Sequence, residues 1–139
     1  MKSLTNGLLA TVALVAAAGS ALAQTSLKAE IPFSFQAGAK MMAPGTYRVM
    51  PSWGVTPLIQ LSNQSDRQSA LLLVEFRDAS KEWRKARVPK LAFECIEGHC
   101  SLAKVWTGDR RDAMEIRGRR PVARDAAGLT IITLDLKAE

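Results

Sequence analysis

The sequence holds a single histidine, His99, and that scarcity removes most of the familiar hydrolytic chemistry. Triad catalysis needs an imidazole held between a nucleophile and an orienting acid, and the one imidazole here lies in the run FECIEGHCSL, residues 93–102, between the only two cysteines. Two thiols and one imidazole also fall short of a usual zinc ligand set. Haem attachment takes C-x-x-C-H and thiol oxidoreductases take C-x-x-C, whereas this spacing is C-x-x-x-x-C. Aromatic residues make up 6% of the chain, which argues against an aromatic-lined sugar cleft. The carboxylates Glu75, Asp78, Glu94 and Glu115 stand among Arg and Lys, the arrangement of solvated cross-strand partners rather than of an acid/base couple. No catalytic residue, metal site or cofactor is expected, and the chain is read as non-enzymatic.

Long apolar runs are missing beyond residue 23. Before it, MKSLTNGLLATVALVAAAGSALAQ carries Lys2, an apolar stretch from Leu8 to Ala18, and Ala21 and Ala23 flanking Leu22. This is the pattern of a Sec-type signal peptide cut between Ala23 and Gln24, and its apolar stretch is short for a membrane span. Residues 1–23 are therefore expected to be a cleaved leader and residues 24–139 a single β-rich domain, periplasmic or extracellular. With no cysteine at the cleavage point, a lipid anchor is not expected. The formal charge is +6, less one if Lys2 leaves with the leader. That excess favours acidic partners such as anionic polysaccharide, a lipid surface or another exported protein. No DNA- or RNA-binding module is visible, which argues against nucleic acid.

What the chain does have is period-two alternation, punctuated by Gly, Pro, Asn and Asp every eight to twelve residues, the mark of short antiparallel strands. Strands are predicted near residues 31–36, 45–50, 58–62, 70–77, 90–96, 99–107, 114–117 and 129–136. The expected fold is all-β: one small antiparallel sandwich or partly open barrel of about eight strands. Pro44-Gly45 predicts a type II turn, with Tyr47 and Val49 on one face beyond it. In LTIITLDLK, Thr130, Ile132, Leu134 and Leu136 are expected to face the core. In LAKVWTG, Leu102, Lys104 and Trp106 are expected on one face and Ala103 and Val105 on the other, with Trp106 packing at the core's edge. Between Gly108 and Gly128 periodicity weakens, and a basic loop with one helical turn near 122–127 is read there.

If 93–96 and 99–102 are strands, Glu97-Gly98 forms a two-residue hairpin loop with glycine where positive φ is most needed. That register pairs Ile96 with His99 and Cys95 with Cys100. The cysteines then occupy a non-hydrogen-bonded pair, with Cα atoms about 4.5 Å apart, at the short end of disulfide geometry. An oxidising compartment and an even cysteine count complete the case for a bridge. For so small a loop, chain entropy gives roughly 2 kcal/mol, enough to pin a hairpin.

Two basic clusters remain: KEWRKAR, residues 81–87, and RGRRPVAR, residues 117–124. Arg84, Lys85 and Arg87 beside Trp83, and Arg117, Arg119 and Arg120, are candidate binding residues, because guanidinium groups near an indole can hold phosphate or sulfate and stack on rings. The plainer reading is that both clusters are polar hairpin ends that keep a β-protein soluble.

The segment IPFSFQAGAKMMAPGTYRV, residues 31–49, resembles the opening block of a family of short secreted acidobacterial-type proteins, (V/I)-P-F-x-F-x-x-G-x-x-x-x-P-x-G-x-Y-x-V. Pro32, Phe33, Phe35, Gly38, Pro44, Gly45, Tyr47 and Val49 carry the likeness, although the chain lacks the residue that the pattern places between proline and glycine. PKLAFECIEGHCSLAKVW, residues 89–106, resembles the family's second block, a K-L-x-F strand, a tight hairpin and a strand ending in V-W. The resemblance implies a compact β-domain in which the cysteine pair is a staple, and it brings no activity, cofactor or catalytic residue. The leading expectation is an exported binding domain for a partner or anionic surface component. The alternative is a small-ligand carrier with an apolar pocket between or within the sheets.

Overall fold

A computed structural model of the chain describes residues 26–118, 123, 125 and 127–139. The expected leader and the residues Arg119 and Arg120 lie outside these, as do 122, 124 and 126 of the helical turn expected near 122–127. The described chain forms β1 (Leu27–Ile31), β2 (Phe35–Ala37), β3 (Lys40–Met42), β4 (Gly45–Ser52), β5 (Leu58–Asn63), β6 (Ser69–Asp78), α1 (Lys81–Ala86), β7 (Lys90–Ile96), β8 (His99–Trp106), β9 (Asp112–Ile116), β10 (Leu129–Asp135) and β11 (Lys137–Ala138). The fold is all-β, with eleven strands where about eight were expected. The additions are β1 and the very short β3 and β11.

One sheet runs in the order β10-β7-β8-β9-β6-β5-β4-β1-β11, and the β2–β3 hairpin joins it through β8. That junction is parallel, Phe35 beside Cys100 and Gln36 beside Ser101, so the expectation of a wholly antiparallel sheet is corrected there. The sheet turns a corner at β6, whose first half pairs with β5 and whose second half pairs with β9. Its two ends, β10 and β11, are separated in the chain by Leu136 alone. β10 pairs with β7 and β11 with β1, so the sheet is rolled until its ends stand side by side without closing into a barrel.

Alternation explains the inner face. Leu27, Ala29 and Ile31 of β1, Tyr47 and Val49 of β4, Ile59 and Leu61 of β5, and Ala70, Leu72 and Val74 of β6 are all buried in one cluster. Phe35 lies edge-on to Tyr47 at 5.2 Å and to Phe93 at 5.3 Å, joining the two halves of the sheet, and Phe33 meets Phe93 at 5.0 Å. These rings fill the interior, each contributing on the order of 2 kcal/mol by burial. In β10, Leu136 just beyond the strand is buried and Ile132 and Leu134 pack on the core, as expected; Thr130, expected to face the core with them, is instead exposed at the start of this edge strand, as is Ile131.

Three local expectations are corrected. The strand predicted over 31–36 breaks after Ile31, where Pro32 has no N–H to give a ladder and the chain crosses to β2. Gly45 opens β4 itself with φ 157°, not the φ near +80° of a type II turn. A Cβ there would lie 3.0 Å from Asn63 Nδ2, so glycine serves close approach. Asn63 in turn donates to the buried Tyr47 hydroxyl at 3.1 Å and accepts from Ser65 N–H. Burial, the largest influence, raises the Tyr47 pKa.

The third correction concerns β8. The β7–β8 ladder is irregular beside Ala92 and Phe93: Phe93 pairs with Leu102 but Ala92 with Lys104, leaving Ala103 as a bulge. The bulge shifts the side-chain phase by one. Leu102 and Val105 therefore both enter the inner core, and Trp106 turns outward with Lys104, instead of all three even-numbered residues sharing one face. Trp106 is nevertheless buried, in a second cluster on the outer face with Ala79 and Ala113, packed by Trp83.

Candidate binding surface

The basic segment 81–87 is a helix rather than a hairpin end. Ser80 caps it by accepting from Trp83 N–H at 3.2 Å, which satisfies an otherwise unpaired amide. Arg87 ends it in the left-handed conformation, φ 56°, with its N–H on Trp83 O. Glu82 in the first turn and Arg84 and Lys85 in the last suit the helix dipole. Trp83 stacks on Trp106 at 6.3 Å, so its ring packs the helix onto the sheet.

Trp106 also donates from Nε1 to Arg110 O at 2.8 Å, and Ala79 N–H bonds Arg111 O. The helix and the β8–β9 turn are thereby held together at one end of the fold. At that turn the Arg110 guanidinium lies 3.6 Å over the Trp53 ring, and Trp53 stacks with Phe76 at 5.5 Å. Sequence reasoning missed this layer, because its three members are far apart in the chain.

Four cations of the sheet, Arg48, Arg77, Lys90 and Lys104, are paired, while Lys28, Lys40 and Lys137 have no ion pair among the described residues. Arg77 faces Glu75 and Glu115, Lys104 reaches Glu115 at 3.3 Å, Lys90 reaches Asp135 at 2.7 Å, and Arg111 lies 3.6 Å from Asp78. At the seam, Arg48 forks onto Glu139, whose carboxyl also accepts from Ser26 and Gln64. The Arg48 hydrogen bond above all, then Ser26, lowers the Glu139 pKa to about 2. On the helix none is paired: among the described residues, Lys81, Arg84, Lys85 and Arg87 have no ion pair. Lys85 and Arg87 are exposed, and the buried Nε of Arg84 has no hydrogen-bond partner.

Arg117 is not brought to this surface. It follows the far end of β9, roughly 17 Å along a five-residue strand at 3.4 Å per residue. There it lines a cleft of about 640 Å³ with Gln36, Glu94, His99 and Ser101. The cleft opens where β8 changes partner, pairing with β9 at Lys104 and Val105 and with β2 at Cys100 and Ser101. Sequence inspection could not find it, since four strands, β2, β7, β8 and β9, build it.

The hairpin matches its expected register: Ile96 opposite His99, and Cys95 bonded to Cys100 with Cα atoms 4.0 Å apart. Glu97 and Gly98 both take positive φ, 49° and 81°, the mirror-image turn that suits a two-residue loop. Among the described residues no group of three His, Cys, Asp or Glu is placed to hold a metal, and no helix is long and apolar enough to cross a membrane. No family model, curated protein or solved structure matches the chain.

Proposed function

We propose that the chain is an exported, non-enzymatic binding domain that holds an anionic surface component, a sulfated or carboxylated polysaccharide, on the outer side of α1. The observation that carries this reading is a local concentration: Lys81, Arg84, Lys85 and Arg87 stand on one short helix with no carboxylate partner among the described residues, whereas Arg48, Arg77, Lys90 and Lys104 of the sheet are paired and its unpaired Lys28, Lys40 and Lys137 are dispersed over three strands. Unpaired guanidinium and ammonium groups on one short helix supply the charge, and the Trp83–Trp106 stack holds the helix still, which reduces the ordering cost of binding. The test is retention of the folded protein on a sulfated polysaccharide matrix along a salt gradient. Taking about 1 kcal/mol per cation as at an anionic surface, the combined variant Arg84→Ser, Lys85→Ser, Arg87→Ser should bind roughly a hundredfold more weakly. Retention unchanged in that variant would sink the reading.

A second reading, a small-ligand carrier, draws on the cleft beside Arg117, whose volume of about 640 Å³ falls within the range of small-molecule sites. This reading puts the ligand where β8 changes partner rather than inside the fold, since Phe33, Phe35, Tyr47 and Phe93 occupy the interior. Native mass spectrometry of protein from its host should then find a bound molecule that Arg117→Ala releases; bare protein counts against it.

A further inference from the structure

A sheet that does not close must end in edges, and natural sheets blunt theirs with short strands, charged residues, proline or bulges. The described sheet has three edge strands, β11, β3 and β10. β11 is two residues long and begins with exposed Lys137; β3 is three residues long and begins with exposed Lys40. β10 is seven residues long and pairs with β7 throughout. Among the described residues nothing pairs with its other side.

This third edge carries a single charge, Asp135, at its very end. From Leu129 to Leu134 it reads LTIITL, without charge, proline or glycine, the composition of a segment that readily adds a strand. Thr130, Ile131 and Thr133 are exposed, Ile131 to 59%. β1 stands across the seam; one side of it pairs with β4 and the other only with β11, at Leu27 and Lys28. Only the Leu134–Asp135 end of β10 adjoins the gap at the seam, which Lys28, Glu30 and Lys137 also line; nothing among the described residues pairs with the open side of 129–133.

We propose that this edge pairs antiparallel with the same edge of a second copy of the chain. A twofold contact needs only one self-complementary patch, and directly opposed residues of an antiparallel pair point to the same side. Centring the pair on Ile131 sets Ile131 against Ile131, Leu129 against Thr133 on the outer face, and Thr130 against Ile132 on the inner. Every backbone group along the edge gains a partner, and no like charges meet. This matters for a chain of net charge +6, whose copies repel elsewhere; the uncharged strip is where they can touch. Six residues of strand fall short of the roughly 1,200–2,000 Å² buried by permanent interfaces, so the dimer is reversible, with a dissociation constant on the order of micromolar to millimolar.

Sedimentation equilibrium of the full mature chain, from about 1 μM to about 1 mM, reads the proposal directly. The expected result is a mass that rises toward the dimer with concentration. Ile131→Lys, which sets two ammonium groups opposite each other, should weaken association roughly tenfold or more. Thr133→Lys, on the same edge and also exposed, gives an independent reading should the first variant fold poorly. Leu71→Lys, exposed to 69% on β6, should leave association unchanged. A chain monomeric throughout, or a dimer indifferent to Ile131→Lys and Thr133→Lys, overturns the proposal.

Discussion

The inner and outer cores of this domain are built by opposite means. The inner core draws apolar residues from both halves of the sheet, each delivered by simple alternation along its strand. The outer core is a single indole, Trp106, enclosed by Ala79, Ala113 and the ring of Trp83. Both depend on β8, and one strand can serve them because the bulge at Ala103 changes its phase between Leu102 and Lys104. A one-residue irregularity thus decides where the helix docks, and with it where the unpaired cations stand.

Closing the bulge from the other side, with one residue inserted between Ala92 and Phe93 opposite Ala103, should break this arrangement most severely. A regular ladder would then turn Leu91 and Val105 outward and Lys104 inward, a loss comparable to a whole domain's stability of about 5–15 kcal/mol. Urea titration followed by circular dichroism should show no cooperative transition, and a native-like transition would refute the phase argument. The next effects separate the two cores. Phe93→Ala should cost about 4 kcal/mol and Trp106→Ala about 3 kcal/mol. Only the second should release α1, seen as solvent exposure of Trp83 fluorescence while the inner-core transition stays cooperative.

The smallest effect lies at the seam, outside both cores. The carboxyl of Glu139 has its pKa lowered from 4.5 to about 2, chiefly by Arg48. A depressed carboxylate contributes fully above its unfolded value, so the tether of β11 holds above about pH 4.5 and is lost as pH falls through about 2. Both partners are partly exposed, so salt weakens it. Carboxyl titration by NMR should find the low midpoint, and Arg48→Ala should return it to the ordinary range. An unshifted midpoint in the parent protein would remove the tether from the account.

Much of the inner core was legible in the sequence. Tyr47 and Val49, the whole of β7, the Cys95–Cys100 register and Ile132, Leu134 and Leu136 follow from local alternation and turn chemistry, although the same alternation wrongly turned Thr130 inward. The outer core was not. α1 has six residues, fewer than two turns, too few to display a helical period, and its cap Ser80 is a single hydroxyl. The bulge left no mark, since alanine fits either face. β1 was concealed because Ile31, Phe33 and Phe35 continue one alternation through the break at Pro32. The cations of the candidate surface were legible as residue types. Their lack of ion pairs was not, because pairing depends on which strands become neighbours, and the same nonlocality separated Arg117 from the helix.

Leu27 pairs with Ala138, so the first strand of the described chain is completed by the last. Contacts of such sequence separation slow folding, toward milliseconds to seconds for β topologies, because the ends must meet before the contact is rewarded. A chain emerging N-terminus first holds β1 without its second neighbour until the final residues arrive. The clock of folding is therefore set by β11: the seam beside β1 closes only when that strand is delivered.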